Sequence, residues 1–187
     1  MSARPFELVV YLGRFQPFHN GHLATLQQAF EYGNIVLVGL GSAGEAPSVK
    51  NPFTESERMD MIQGSLSPQQ NTRLYIVPLY DDVGDDAQWA AQVRRKAQHR
   101  VGKHAQIALT GVKKDASSFY LDMFPEWDFI PGPAVPLLNA TDVRAEYFGG
   151  SPREVWAANV PPHVADFLDD YQKYERYHFI RQVVTGE

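Results

Sequence analysis

The sequence predicts an α/β fold, a doubly wound parallel sheet with a short helical C-terminal tail. Three observations lead there. Short apolar runs at residues 6–12, 35–40, 74–79 and 107–110 are too brief for helices and read as buried strands. Between them lie amphipathic segments that open on capping residues. Strand and helix alternate at a spacing that implies right-handed crossovers and helices on both faces of the sheet.

The first strand, FELVVYL, lies between Pro5 and Gly13. After the loop GRFQPFHNGH comes a helix with Leu23, Leu26 and Phe30 on one face, Asn20 as its expected N-cap and Gly33 as its stop. The second strand, 35–40, runs into a glycine-bearing loop, GSAGEAPSVKNPF. Thr54-Glu55-Ser56-Glu57 is then a capping box, opening a helix whose expected apolar face is Met59, Ile62 and Leu66. Strand three follows at 74–79. Asp85 or Asp86 can cap the next helix, which runs through Trp89, Val93 and Ala97 to strand four, and residues 127–130 form a weaker fifth strand.

Beyond residue 139 the chain turns helical. Thr141 is the expected cap of a short helix ended by Gly149 and Gly150, and Ser151 is an N-cap followed by Pro152 at the first helical position. A last helix from about residue 161 carries Val164, Phe167, Leu168 and Tyr171 on one face. The expected organisation is a core at 1–150 and a helical extension at 151–187 that packs on it.

Composition narrows the function. With 187 residues and 44% hydrophobic content the chain can bury one core. The net charge of −5 argues against a general nucleic-acid binder, because no broad positive field would draw in a phosphate backbone. The absence of cysteine excludes a disulfide framework and cysteine-based zinc sites. No apolar run is long enough for a bilayer and no signal pattern opens the chain, so a cytoplasmic protein with no membrane partner is expected. An anionic ligand would need a local basic pocket, for which Arg14, Arg58 and Arg144 are the candidates. Each alone would be an ordinary solvated arginine.

GRFQPFHNGH has the equipment of a phosphate-handling loop. Gly13 would let the backbone turn out of the strand, and Gly21 would let a ligand approach the first turn of the following helix, where unpaired N–H groups favour anions. His19 and His22 stand three residues apart, so both imidazoles fall on one side of that helix start, able to donate to one phosphate. A metal site is the rival reading, and it lacks a third protein ligand at helical spacing. Thr141 at a helix start with Arg144 one turn on repeats the anion-binding device.

The motif GRFQPFHNGH resembles the HxGH-bearing signature of the nucleotidyltransferases, and in this longer form that of the archaeal-like nicotinamide mononucleotide adenylyltransferases, a Rossmann-like family. GSA at 41–43, NPFTESER at 51–58 and NATDVR at 139–144 match further family segments in order. The loop GEAPSVK lacks the Lys-Ser-His-Thr run typical of archaeal members, and Ala140 replaces a glycine. The resemblance implies that His19 and His22 contact the ATP phosphates, with Gly13, Phe15 and Gly21 in the same binding loop. It implies that Arg14, Arg58, Thr141 and Arg144 hold phosphates, Arg14 and Arg144 among the catalytic groups. Trp89 would stack on the nicotinamide, with Asp81 and Asn51 in the mononucleotide site.

Adenylyl transfer from ATP to nicotinamide mononucleotide (NMN), giving NAD and pyrophosphate, is therefore the expected activity. It is an in-line displacement that needs charge neutralisation and positioning more than a protein nucleophile, and Mg²⁺ would bridge the leaving pyrophosphate. Alternatives are a sister enzyme with another phosphorylated acceptor, such as pantetheine phosphate or glycerol phosphate, and a sensor that binds ATP or NAD without turnover. Lys113 and Lys114 can face the same crevice or simply be solvated. A homo-oligomer, and a pyrophosphohydrolase (Nudix) domain after residue 187, are both left open by the sequence.

Overall fold

A computed structural model describes residues 4–81, 84–113, 116–133 and 138–186. The chain forms two compact units, residues 1–13, 24–43 and 68–134 in the first and residues 14–23, 44–67 and 135–187 in the second.

The first unit holds a five-stranded, all-parallel sheet: β1 (Phe6–Gly13), β2 (Gly33–Leu40), β3 (Leu74–Pro78), β4 (Ile107–Gly111) and β5 (Asp128–Pro131), in the order β3-β2-β1-β4-β5. The chain winds outward from β1 to β3 and then crosses back to the other side of β1, so the strand order switches between β1 and β4. Loops at that switch point are where ligands of such sheets bind. The loop after β1 begins there.

Both faces of the sheet are covered, as expected. Leu8, Val10 and Leu12 of β1 join Ala90, Val93 and Ala97 of α4 (Asp86–Val101) in one buried cluster. On the opposite face of β1, Tyr11 bonds Thr25 of α1 (Asn20–Tyr32), and burial pushes the Tyr11 phenol far up. Alternation along one strand thus sends successive residues to two different helices. A side chain at Gly39 in β2 would displace its neighbours, since a Cβ would sit 2.5 Å from a methyl of Leu79 and 2.7 Å from one of Leu12.

Asp85 is the cap of α4, accepting from the Gln88 N–H. Gly33 stops α1 but is not a left-handed terminal glycine; it starts β2 directly, where a Cβ would strike Val9. A 3₁₀ segment, Ala116–Met123, joins β4 to β5 and is invisible to periodicity. Lys113 is paired with Asp122, and Lys114 lies outside the described residues.

The second unit is helical. Helix α2 (Glu55–Gly64) packs on α7 (Pro162–Tyr171), and α5 (Ala140–Phe148) on α6 (Arg153–Ala157) and α8 (Glu175–Thr185). Its core is aromatic: Tyr147 meets Trp156 and Tyr177 edge-on, and Phe53 contacts Phe148, Phe167 and Tyr171. A four-residue helix, α3 (Pro68–Asn71), belongs to the sheet unit.

Several helix details depart from the sequence reading. The buried stripe of α2 is Arg58, Met61 and Ile62 rather than Met59, Ile62 and Leu66, because the helix stops at Gly64 and a buried arginine takes a core position. The cap of α5 is Asn139, whose side chain accepts from the Asp142 N–H, so Thr141 is already inside the helix. Asn caps at least as well as Thr and stands at the right distance from Asp142. Ser151 does not cap α6, since Pro152 occupies that position without a side-chain bond. The helix from residue 162 is not the last, because α8 follows it.

Candidate active site

Most of the candidate site residues fall in the helical unit: Arg14, Phe15, His19, Gly21, His22, Arg58, Thr141 and Arg144 of the phosphate-handling set, and Asn51 of the mononucleotide set. Gly13, Asp81 and Trp89 belong to the sheet unit.

The turn out of β1 is not made by Gly13, which stays in the strand paired with Leu40. Phe15 makes it, with φ at +54°. A non-glycine residue there costs about 1–2 kcal/mol, offset by burial of its ring at 1% exposure, edge-on to His22 at 4.9 Å. The Phe15 ring is thus a wall for a histidine and leaves only its main chain to face a ligand.

The start of α1 also differs from expectation. The Leu23 N–H donates to the His19 carbonyl, so His19 and not Asn20 is the N-cap. Its Nδ1 accepts from the His22 N–H at 3.2 Å, and in return the His19 N–H donates to the Nδ1 of His22 at 3.3 Å. The two rings stack with centroids 3.5 Å apart, and Phe18 also stacks on His22 at 5.7 Å. Asn20 instead ties the helix start to the tail, its N–H donating to the Asn159 carbonyl and its side-chain amide to that of Ala158. Two of the helix-start N–H groups that a phosphate would use are therefore taken by the protein itself.

Two arginines from other segments brace the loop through its carbonyls. Arg58 is 1% exposed; its Nη1 donates to the Arg14 carbonyl at 2.8 Å and its Nε to that of Thr54. Such burial is tolerable because the guanidinium donates to backbone carbonyls. Arg144 donates Nη1 to the Gln16 carbonyl at 2.6 Å and Nη2 to the Thr141 hydroxyl. Burial, and then the charge of Arg14, push the Arg144 guanidinium below its usual value. Two cations brought near each other, Arg14 on the loop and Arg144 on α5, would both gain from an anion.

Sequence reasoning missed the residue that locks this loop. Gln16 is 2% exposed, and its side-chain amide donates to the Phe53 carbonyl at 2.8 Å and accepts from the Phe53 N–H at 2.9 Å, as a neighbouring strand would. The only signal was one polar residue among Phe15, Pro17 and Phe18. The segment it grips is held from the tail too: Tyr171 and Arg176 donate to the Pro52 carbonyl, and Arg176 forms a two-pronged ion pair with Glu57. On the same segment the Asn51 side-chain oxygen is buried with no hydrogen-bond partner among the described residues. A buried acceptor without a donor carries a desolvation penalty that a ligand N–H or O–H could remove.

In the sheet unit, Asp81 receives both the N–H and the hydroxyl of Ser42, a residue at φ +50° in the GSA loop. Its carboxylate therefore shapes that loop. Trp89 is half-buried on the core cluster, edge-on to Tyr120 at 6.2 Å, so it is partly a packing residue. Among the described residues no three histidine, aspartate or glutamate side chains gather as a metal cage, and no helix is long and apolar enough to cross a membrane.

This geometry stands beside clear likenesses. A cytidylyltransferase-like family model matches residues 10–74. The chain is 34% identical over 178 residues to a nicotinamide/nicotinic acid mononucleotide adenylyltransferase of Acinetobacter baylyi, covering 95% of this chain and 93% of that one. It is also 34% identical over 173 residues to a nicotinamide-nucleotide adenylyltransferase of Thermococcus kodakarensis, covering 89% and 85%. Among solved structures it is similar to a bifunctional NMN adenylyltransferase/ADP ribose pyrophosphatase of Francisella tularensis, complexed with AMP and a manganese ion. The TM-score is 0.82 at 27% identity, and the match covers 94% of this chain and 52% of that one, about half its length. With a relative this similar over nearly its whole length, the chain belongs to the nicotinamide-nucleotide adenylyltransferase family.

Proposed function

We propose that the protein transfers the adenylyl group of ATP to NMN, forming NAD and pyrophosphate. The observation that carries it is the loop of residues 14–22, where two stacked histidines and two arginines meet on a chain whose relatives bear that name. An oxygen of the NMN phosphate attacks the α-phosphorus, the bond to the β-phosphate oxygen breaks, and pyrophosphate leaves with the electron pair. No protein nucleophile is required, only donors and positive charge where negative charge accumulates.

In this reading Arg14 and Arg144 neutralise the phosphates, His19 and His22 donate to them, and Arg58 acts from behind by holding the Arg14 carbonyl. Gly13, Phe15 and Gly21 contribute main chain, and Thr141 orients Arg144 through its hydroxyl. Asn51 offers its unpartnered oxygen to the mononucleotide, Asp81 acts by fixing Ser42, and Trp89 offers the exposed part of its indole to the nicotinamide. No three histidine, aspartate or glutamate side chains gather among the described residues, so Mg²⁺ would be carried by the nucleotide and would supply positive charge to the leaving pyrophosphate.

The core at 1–150 and the extension at 151–187 work together here, since Tyr171 and Arg176 of the tail hold the loop that carries Asn51. The reaction is one of the cytoplasm. A pyrophosphohydrolase domain joined to this one, as in the Francisella tularensis protein, is a natural companion.

Incubation with ATP, Mg²⁺ and either NMN or its nicotinic acid analogue, with chromatography of the products, tests the reading. NAD or its deamido form must appear with pyrophosphate, and chelation by EDTA must stop it. Turnover of pantetheine phosphate but of neither mononucleotide would overturn it.

A further inference from the structure

Helix α1 opens on a reciprocal cap made of two imidazoles, and this choice of residue is chemically peculiar. Serine, threonine, aspartate and asparagine are the preferred N-caps, and glutamate or glutamine the usual return partner. Histidine is neither. What it offers is a ring with two distinct nitrogens, of which only one is protonated when the ring is neutral. Here the Nδ1 of each ring accepts a main-chain N–H, His19 from His22 at 3.2 Å and His22 from His19 at 3.3 Å. An accepting nitrogen carries no proton, so the proton of each neutral ring resides on Nε2.

We propose that the His19–His22 cap is a tautomer lock: the main chain of each histidine fixes the other ring as its Nε2–H form, so that both act as hydrogen-bond donors and neither serves as a general base through Nε2. The ring planes are held as well, His22 packing against His19 at 3.5 Å and Phe18 at 5.7 Å with Phe15 edge-on at 4.9 Å. His19 is 2% exposed, which leaves its ring little room to turn over. The lock matches the chemistry required: an acceptor phosphate is already ionised and needs no base, whereas the phosphorus under attack needs donors set in advance. This role for the pair rests on the proposed adenylyl transfer; the protonation state itself does not.

The test is spectroscopic and needs no turnover. In protein labelled with ¹⁵N-histidine at pH 8, long-range ¹H–¹⁵N correlation distinguishes Nδ1–H from Nε2–H rings, with His22→Gln and His19→Asn assigning the two signals. Both rings are expected as Nε2–H. Either one found as Nδ1–H, or as an even mixture, overturns the lock, whatever the enzyme does with ATP and NMN. The residue-19 N–H that fixes the His22 ring survives in both His19→Asn and His19→Ala, so that ring should stay Nε2–H in each; a mixture in either overturns the claim that the main chain sets the tautomer. If His19→Ala fails to fold, the wild-type and His19→Asn spectra decide by themselves. Should the spectra show the lock while no NAD forms, the proposed activity fails and the lock stands.

Discussion

The second unit contains two helix starts with the same hydrogen-bond topology built from different chemistry. At α2 the Thr54 hydroxyl accepts from the Glu57 N–H and the Glu57 carboxylate from the Thr54 N–H. At α1 His19 and His22 repeat the pattern with ring nitrogens. The Glu57 carboxylate spends its remaining valence on Arg176, inside the protein. At the histidine cap each Nδ1 accepts from main chain, which under the proposed lock puts each ring proton on Nε2. A capping box made of oxygens only accepts, and one made of imidazoles also fixes where a ring proton sits.

The sharpest way to break this comparison is to remove one of the two rings. His22→Ala is expected to lower kcat by about a hundredfold or more while leaving ATP affinity within a few-fold, because a donor aimed at the transition state is lost. Steady-state kinetics with NMN, alongside nucleotide binding by calorimetry, measures both. A large loss of binding at unchanged kcat would show that the histidine serves ground-state recognition instead.

Next in size is the clamp between the two helix starts. Gln16→Ala leaves the buried Phe53 N–H and carbonyl without partners, and the expected loss of stability is about 2–3 kcal/mol. Chemical denaturation reads this as a shift in midpoint at unchanged slope. A loss below about 0.5 kcal/mol, on the scale of an ordinary surface change, would mean that the aromatic packing of Phe53 holds the segment by itself.

The contrast between the two caps also explains what the sequence could show. The strands, their alternation with helices and the α2 box were legible because they depend on local pattern: FELVVYL is a continuous apolar run, and Thr54 and Glu57 are standard capping types. His19 as an N-cap was not, since its residue type does not announce that role and Asn20 beside it does. The burial of Arg58, and the role of Gln16 altogether, were missed for a different reason. Their cost is met by the carbonyls of Arg14 and Thr54 and by the main chain of Phe53, partners that only the folded chain brings near. Helix α8 escaped because Arg176, His178 and Arg181 interrupt its apolar stripe, and its burial rests on Tyr177 and Ile180 alone.

The smallest effects are expected at α2 itself. Thr54→Ala removes the hydroxyl acceptor and should cost about 1 kcal/mol, the usual worth of an N-cap. Per folded molecule, kcat should be unchanged, since the Thr54 carbonyl that receives the Arg58 Nε survives the substitution. Thr54→Ser restores the acceptor and should bring stability back to within about 0.5 kcal/mol of the wild type. Denaturation midpoints and kcat for the three proteins form one series. If kcat falls in Thr54→Ala and recovers in Thr54→Ser, the α2 cap would be transmitting its order through Arg58 to the carbonyl of Arg14, and the line between the structural cap and the chemical one would have to be redrawn at Arg58.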